Sequence, residues 1–389
     1  MSHSLTQTYL APAKRVVIKI GSALLADGGE LRAKWLDSLA DDIAKLRQTP
    51  DQSAPRDILV VSSGAIALGH AMIGTPPRTM VLADKQAAAA IGQIRLSSEW
   101  QQALGQHGMH CAQVLLSHED TETRHRHLNA RATLLALLKK HIIPVINEND
   151  TVATAKIRFG DNDRLAARVA QMVSADALIL LSDIDGLYTS DPRQDASAQH
   201  IPEVTQITEA MLAAAGPASH EFASGGMITK MEAAQLATSS GCNMVICRGS
   251  DHNPIGSLLA GGRCSWFRAN KKPMQARKVW IAGGLNPKGH IAIDAGASRA
   301  LMAGKSLLAA GITEVKGNFV KGDLVSVVAG EGIAIGRGLS RYNANDINRI
   351  KGHKSGEISG ILGYRGHDEI IHADDLVLVE KRSKQEDAS

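Results

Sequence analysis

The sequence predicts an α/β protein, with an open, mostly parallel sheet sandwiched by helices and followed by a small β-rich barrel. Three observations lead to this fold class. Short runs rich in Val, Ile and Leu alternate with stretches of helical periodicity, small or polar residues follow each run, and the last part of the chain changes character. At 389 residues the chain is long for a single core, and its length predicts two or three domains.

Five apolar runs are the predicted strands of the parallel sheet. They are too continuous for strands with one face in water, so we expect helices to cover both faces. Two intervening segments repeat apolar side chains at helical spacing, which predicts such helices. The runs are 16–20, 58–61, 142–146, 177–181 and 244–247, and the helical stripes are Leu165, Val169, Met172, Val173 and Met231, Ala234, Leu236.

Small or polar residues stand at the carboxyl end of every predicted strand. In open α/β sheets ligands bind beyond that edge, so we expect one large polar site there. Polar loops alone would produce the same pattern at any single strand, and the prediction depends on its recurrence at five. The segments are Gly21-Ser22, Ser62-Ser63-Gly64, Asn147-Glu148-Asn149-Asp150, Ser182-Asp183 and Arg248-Gly249-Ser250.

A break in composition predicts where the first domain ends. No acidic residue lies between Asp251 and Asp294, and this basic stretch contains Pro273, which indicates a linker near 265–277. Beyond it, frequent glycines and short β-type runs predict a small barrel with strands at 279–282, 290–293, 324–328, 333–335 and 376–379. Residues 1–13 are expected to form a loose tail.

Composition excludes several classes of protein. The formal charge of +4 is far from the dense basic surface of a dedicated nucleic-acid-binding protein. The four cysteines are widely spaced without a C-x-x-C pair, which argues against a disulfide framework or a structural zinc and favours reduced thiols in the cytoplasm. No run approaches the roughly eighteen apolar residues of a membrane span, so we expect no membrane association.

Two segments are candidate phosphate-binding devices, although neither a Walker A motif nor a G-x-G-x-x-G motif after a strand occurs. Lys19 lies in the first strand just before Gly21, and a buried lysine is costly unless it is paired or faces a polar cleft. Gly225-Gly226 precedes a predicted helix that carries Lys230, and the positive end of a helix favours an anion. The alternative for this second segment is a glycine loop with a surface lysine.

Two polar segments each allow two interpretations. Gly160-Asp161-Asn162-Asp163 precedes a helix that starts near Arg164, so Asp163 is either an ordinary N-cap or a carboxylate that holds two lysines in place. The run from Asn147 to Asp150 is either a turn or a cluster of donors and acceptors suited to the amino and carboxylate groups of a small zwitterion.

These motifs, taken in order, resemble those of the amino-acid kinase family. The resemblance covers roughly residues 14–265, and the order of six motifs makes it much more specific than any one of them. The tail, 277–389, looks like a PUA domain through Gly317-Asn318-Phe319 and Gly338-Leu339-Ser340-Arg341-Tyr342. The six motifs are residues 17–22, 61–66, 144–150, 160–163, Asp185-Gly186-Leu187-Tyr188, and Gly225-Gly226-Met227 with Lys230.

The resemblance implies transfer of the γ-phosphoryl group of ATP to the γ-carboxylate of L-glutamate, the first step of proline synthesis. It implies a catalytic group in which two lysines stabilise the phosphoryl group and an aspartate orients both: Lys19, Lys230, Asp163 and, beside it, Asp161. Mg²⁺ is expected to bind mainly through the ATP phosphates. The implied ATP-binding residues are Lys19, Gly21, Ser22, Ser182, Asp183, Ser224, Gly225, Gly226, Met227, Ile228, Thr229 and Lys230.

The resemblance also implies a glutamate site made of Ser63, Gly64, Asn147, Asp150 and Asn162, with Asp150 facing the α-ammonium group. Feedback inhibition by proline and assembly into dimers or tetramers are further family expectations. Family members that phosphorylate N-acetylglutamate, aspartate or UMP are the alternatives within the fold. An RNA-binding protein is the alternative outside it, disfavoured by the modest charge and few aromatic residues of the tail.

Overall fold

The computed structural model describes residues 2–48, 54–74, 79–152, 162–215, 226–273, 275–276, 287–330 and 332–378. The chain divides into two compact units, Met1–Pro273 and Met274–Ser389. The division falls within the segment for which the sequence predicts a linker. The predicted domain limits of 14–265 and 277–389 stay predictions at the level of single residues.

An eight-stranded sheet forms the centre of the first unit, in the order β10-β12-β11-β7-β1-β4-β6-β5. The six strands from β11 to β5 are parallel, and β12 runs antiparallel to β11. The strands of this unit are β1 (Arg15–Ile20), β2 (Ala26–Asp27), β3 (Glu30–Leu31), β4 (Asp57–Ser62), β5 (Cys111–Leu116), β6 (Ile143–Glu148), β7 (Ala177–Ser182), β8 (Leu187–Tyr188), β9 (His200–Ile201), β10 (Glu203–Val204), β11 (Asn243–Arg248) and β12 (Cys264–Phe267).

Helices cover both faces of this sheet. Buried side chains of α1, α3, α5 and α11 form one core, and those of α7, α8 and α10 form the other. The helices are α1 (Ser2–Leu10), α2 (Ser22–Leu25), α3 (Ala33–Arg47), α4 (Ala65–Ile73), α5 (Leu82–Gly105), α6 (His118–Glu122), α7 (Arg124–Lys139), α8 (Asn162–Val173), α9 (Glu209–Ala214), α10 (Met227–Ser239) and α11 (Pro254–Leu259).

The predicted parallel sheet is confirmed, because all five apolar runs form neighbouring strands of it. The two helical stripes lie on α8 and α10. The sequence did not predict the strands at the two edges of the sheet. At one edge β5 contains Gln113 and alternates exposed and partly buried residues, so it lacks the continuous apolar run on which the prediction relied.

The expected loose tail at residues 1–13 is wrong. Residues Ser2–Leu10 form a helix, and the buried guanidinium group of Arg56 donates hydrogen bonds to the carbonyl oxygens of Leu10, Ala11 and Ala13. Trp266 Nε1 also donates to Thr6 Oγ1 at 3.2 Å. A buried cation that lies 43 residues away in sequence from Ala13 stabilises the end of this helix, and local sequence patterns carry no sign of it.

Helices α4 and α5 pack with their backbones in contact. A Cβ atom on Gly92 would lie 1.8 Å from the carbonyl oxygen of Ala65, and one on Gly69 would lie 2.0 Å from that of Ala88. Only hydrogen fits at these two positions, so the small side chains set the separation of the helices. Since Gly64 precedes α4 directly, this contact also positions the loop after β4.

The second unit contains a five-stranded sheet in the order β15-β13-β16-β17-β19 and a two-stranded sheet of β14 and β18. The predicted small β-rich domain is confirmed, whereas the predicted strand at 279–282 and the end of the last one at Val379 lie outside the described residues. The elements are β13 (Gly289–Ile293), α12 (Ala295–Met302), β14 (Leu307–Leu308), β15 (Ile312–Gly317), β16 (Leu324–Ala329), β17 (Ile333–Leu339), α13 (Ala344–Ile350), α14 (Ile358–Leu362), β18 (Glu369–Ile371) and β19 (Leu376–Leu378).

Across the described ranges of both units, none of the helices combines the length and the apolar character needed to cross a membrane.

The contact between α4 and α5 makes Gly92→Ala destabilising. The added methyl group would meet Ala65 at 1.8 Å, and forcing the helices apart should lower the free energy of unfolding by about 1–3 kcal/mol. Gly105→Ala is the matched control, because no heavy atom of the described residues lies within 4 Å of its added methyl group. The control should stabilise the helix by up to about 1 kcal/mol. Urea denaturation followed by circular dichroism measures both variants, and equal shifts would contradict the contact.

Candidate active site

The carboxyl ends of β1, β4, β6, β7 and β11 meet at one edge of the sheet, where the sequence predicts the site. Side chains alternate along β1, so Val17 and Lys19 point to the face covered by α8 and α10, while Ile18 and Ile20 point to the opposite face. Lys19 is 6% exposed, although it is charged. Its burial requires charged or polar partners on the α8 and α10 face.

Those partners form a compact charged cluster, the lysine-aspartate centre of Lys19, Asp163 and Lys230. Lys19 Nζ lies 2.5 Å from Asp163 Oδ1, and Lys230 Nζ lies 3.0 Å from Asp163 Oδ2. Thr229 Oγ1 lies 3.2 Å from the same Oδ2 and 2.9 Å from the carbonyl oxygen of Gly226. Asp163 belongs to the first turn of α8. This helix begins at Asn162, two residues before the start near Arg164 that the sequence predicts.

The charges of this centre do not cancel. Burial opposes ionisation of the Asp163 carboxyl, but the ammonium groups of Lys19 and Lys230 outweigh it and lower its pKa to about 2. The carboxylate is therefore ionised at neutral pH, and among these three side chains two ammonium groups face one negative charge. A buried excess of positive charge is stabilised by an anion, which makes the centre a candidate site for a phosphate group.

Backbone donors surround the same centre. Gly226 is the N-cap of α10, so the free N–H groups at the start of this helix lie one turn before Lys230. Gly21 is the N-cap of α2, and a Cβ atom placed on it would be 3.7 Å from Lys19 Nζ. The glycine thus keeps the backbone close to the lysine without filling the space around it. Met227 and Ile228 are partly buried in the first turn of α10.

A second cluster of polar side chains lies beside this centre. Asn162 Nδ2 donates to Ser63 Oγ at 2.6 Å and to Asn147 Oδ1 at 3.0 Å, and Asn147 Nδ2 donates to Gln93 Oε1 at 2.9 Å. Gly64 adopts φ +113°, and a Cβ atom there would lie 2.8 Å from Leu25 Cδ2. The structure therefore brings Ser63, Asn147 and Asn162 together as the sequence predicts and adds Gln93.

Asp150 opens a 3-10 turn, Asp150–Val152, directly after β6. The residue is 9% exposed, and burial raises the pKa of its carboxyl group to about 6. Among the residues that the structure describes, no cation pairs with it. A buried carboxylate without a counterion gains most from a cationic ligand.

The other predicted site residues differ in how deeply they are buried, and three of them lie outside the described residues. Ser182 is buried at the end of β7, and its Oγ donates to Asp183 Oδ1 at 3.0 Å, while Asp183 itself is exposed. Ser22 begins α2 and is partly buried. Asp161, Ser224 and Gly225 lie outside the described residues.

Gln93 is the site residue that the sequence reasoning missed. It lies on α5, which contributes no strand end and no glycine motif. In the sequence, Gln93 stands out only as a polar residue at helical spacing from Ala89, Leu96 and Trp100, which are all buried. A polar residue in such a stripe indicates a hydrogen-bond partner inside the fold, but it does not tell which one.

Comparison with known proteins places this geometry in a family. The model of the amino acid kinase family matches residues 14–248, and that of the PUA domain matches residues 289–362. The first match covers the whole lysine-aspartate centre and the neighbouring amide cluster. The second lies within the small β-rich unit.

Curated relatives match almost the whole chain. A glutamate 5-kinase of Paramagnetospirillum magneticum is 55% identical over 371 residues, which cover 95% of this chain and 99% of that protein. Glutamate 5-kinases of Gluconobacter oxydans and Allorhizobium ampelinum are 53% and 52% identical, over 95% and 97% of this chain and 97% and 95% of theirs. From the matched domain models and from this identity over nearly the full length, the chain belongs to the amino acid kinase family, among the glutamate 5-kinases that carry a PUA domain.

Proposed function

We propose that the lysine-aspartate centre is the phosphoryl-transfer site of a glutamate 5-kinase reaction, in which ATP phosphorylates the γ-carboxylate of L-glutamate. The observation that carries this proposal is that two buried lysines, Lys19 and Lys230, both contact the buried carboxylate of Asp163. Transfer of a phosphoryl group spreads negative charge over its equatorial oxygens, and fixed cations that need no reorganisation stabilise that charge.

The phosphates of ATP bind at the N-terminal, positive ends of α2 and α10. Lys19 and Lys230 contact the transferring phosphoryl group, and Asp163 is a positioning residue that keeps both ammonium groups in place. The backbone N–H groups at Gly21 and at the start of α10 donate to the phosphate oxygens. Ser182 and Asp183 line the nucleotide site at the end of β7.

The acceptor lies against the amide cluster. A glutamate carboxylate is already a nucleophile at neutral pH, so the reaction requires positioning and charge stabilisation but no general base. This requirement fits a site built from lysines, amides and carboxylates. Ser63 and Asn162 hold the acceptor, and Asp150 faces its α-ammonium group, which supplies the cation that the buried carboxylate lacks.

Mg²⁺ fits this site through the nucleotide. The one carboxylate of the lysine-aspartate centre is engaged by two ammonium groups, which would repel a divalent cation held by protein side chains alone. Within the described ranges, no group of three or more His, Cys, Asp or Glu side chains could hold a metal ion. The phosphate oxygens of ATP are hard ligands that would hold the metal, and it would neutralise part of their charge there.

Three further properties are proposed from the resemblance alone: feedback inhibition by proline, assembly into a dimer or tetramer, and a cytoplasmic location. None of them is needed for the phosphoryl-transfer chemistry argued above.

A coupled ADP-release assay tests the proposed acceptor directly. Glutamate, N-acetylglutamate, aspartate and UMP are compared at equal concentrations with ATP and Mg²⁺. ADP release with glutamate alone supports the proposal. Release with UMP or N-acetylglutamate and none with glutamate would contradict it.

Lys19→Ala and Lys230→Ala should each lower kcat by about a hundredfold or more, because each removes a preorganised charge that acts on the transition state. Lys139→Ala is the matched control, since Lys139 is exposed at the end of α7, shortly before β6 begins and so towards the opposite edge of the sheet. Steady-state kinetics with glutamate and ATP measure the effect, and circular dichroism checks the fold. A near-normal kcat in either variant would move the phosphate site elsewhere.

Asp150→Asn should raise the KM for glutamate by about ten- to a hundredfold and leave the KM for ATP nearly unchanged, because a carboxylate that binds an ammonium group contributes about 1.5–3 kcal/mol.

Asp150 also predicts a pH dependence of the reaction. Below its pKa of about 6 the carboxyl is neutral, so kcat/KM for glutamate should fall as the pH drops through that value. In Asp150→Asn this fall should disappear. A rise in KM for ATP alone would assign Asp150 to the nucleotide.

A chain truncated after Arg277 should remain folded and keep glutamate kinase activity, because the described site residues all lie in the first compact unit. Size-exclusion chromatography and steady-state kinetics measure the result. Complete loss of activity in a folded truncated chain would show that residues beyond 277 contribute to the site or to an obligatory oligomer.

A further inference from the structure

We propose that Gln93 is a positioning residue that determines which atom of Asn162 faces the acceptor, and that it thereby selects an acceptor with a free amine. The inference rests on the proposed function and deepens it. It depends on a chain of hydrogen bonds that runs from Ser97, through Gln93 and Asn147, to Asn162.

The direction of this chain is set at Ser97. Its hydroxyl donates to the backbone carbonyl of Gln93, one turn earlier on α5, at 2.9 Å. The hydroxyl hydrogen is thus used, and Ser97 Oγ accepts from Gln93 Nε2 at 3.3 Å. Because the NH₂ group of Gln93 faces Ser97, its oxygen Oε1 faces Asn147.

Each amide then orients the next. Gln93 Oε1 accepts from Asn147 Nδ2 at 2.9 Å, which leaves Asn147 Oδ1 to accept from Asn162 Nδ2 at 3.0 Å. The second hydrogen of Asn162 Nδ2 goes to Ser63 Oγ at 2.6 Å. Both donors of Asn162 are therefore used. Its oxygen Oδ1 is buried and accepts no hydrogen bond from any residue in the described part of the chain.

A buried carbonyl oxygen without a donor is costly, and a ligand with an N–H group removes that cost. The α-ammonium group of the acceptor is such a ligand. If the direction of these hydrogen bonds were reversed, Asn162 would present its NH₂ group to the acceptor, and a hydrogen-bond donor would face the ammonium cation. The polarity of the chain therefore favours a free amine over an acceptor without one.

The α5 helix is fixed firmly enough to set this polarity. Trp100, on the same stripe as Gln93, is fully buried and donates from Nε1 to Ser62 Oγ at 3.0 Å. The backbone of Gly92, next to Gln93, touches Ala65 at the start of α4. Both contacts hold α5 against the segment between the end of β4 and the start of α4, so Gln93 cannot move away from Asn147 without loss of packing.

The test compares Gln93→Leu, Gln93→Glu and the control Gln101→Leu in the full-length chain. Leucine removes the acceptor for Asn147 while keeping a similar volume. The glutamate side chain keeps an acceptor for Asn147, so it preserves the polarity from Asn147 onwards, and its second oxygen accepts the Ser97 hydroxyl hydrogen when that hydrogen turns away from the backbone carbonyl of residue 93. Gln101 is exposed on the same helix. For each variant we would measure the KM for glutamate, the KM for ATP, and the inhibition constant of glutarate, which has both carboxylates but no amine.

Gln93→Leu should raise the KM for glutamate about tenfold and change the glutarate inhibition constant and the KM for ATP less than about twofold. Gln93→Glu should restore the KM for glutamate to within about threefold of the wild-type value, and Gln101→Leu should leave all three constants unchanged. An equal rise for glutamate and glutarate in Gln93→Leu, or no rise at all, would overturn the inference. Absence of glutamate phosphorylation in the wild-type chain would instead overturn the proposed function.

Discussion

One buried carboxylate holds the site together. Asp163 is 1% exposed and contacts two lysines that are themselves almost completely buried. Without Asp163, two like charges would share a region of low dielectric constant, and without the lysines the carboxylate would be an uncompensated buried charge. Each of the three charges thus lowers the cost of burying the others. The elements β1, α8 and α10, which carry them, must therefore keep fixed separations.

Packing provides those separations. Lys19 lies on a central strand whose neighbours, β4 and β7, pair with it on both sides, and α8 and α10 pack on the face to which it points. The first turn of α8 then joins the two halves of the site. Asp163 contacts the lysines, and the preceding residue, Asn162, contacts Ser63 and Asn147. Because one helical turn carries both residues, the backbone of α8 sets the distance between the two polar clusters, as the proposed in-line transfer between two bound substrates would require.

Local patterns in the sequence were sufficient for the framework of this protein. Continuous apolar runs predicted the buried parallel strands, and the polar residues after them predicted the edge at which Lys19, Ser63 and Asn147 lie. Lys19 was recognisable because a charge inside an apolar run has a cost that something must compensate. The helix start at Gly226 was recognisable from its glycines. These features depend on periodicity and on the cost of burial, which act over a few neighbouring residues.

The contacts between distant segments could not be read in this way. Lys230 reaches Asp163 across 67 residues, Gln93 reaches Asn147 across 54, and Arg56 reaches the end of α1 across 43 or more. Whether Asp163 was an N-cap or the partner of two lysines, and whether residues 1–13 were a tail or a helix, depended on these contacts. A local pattern shows that a polar group must be satisfied, but its partner is chosen by the three-dimensional arrangement of helices on the sheet, because any of several distant donors or acceptors would satisfy the same group equally well.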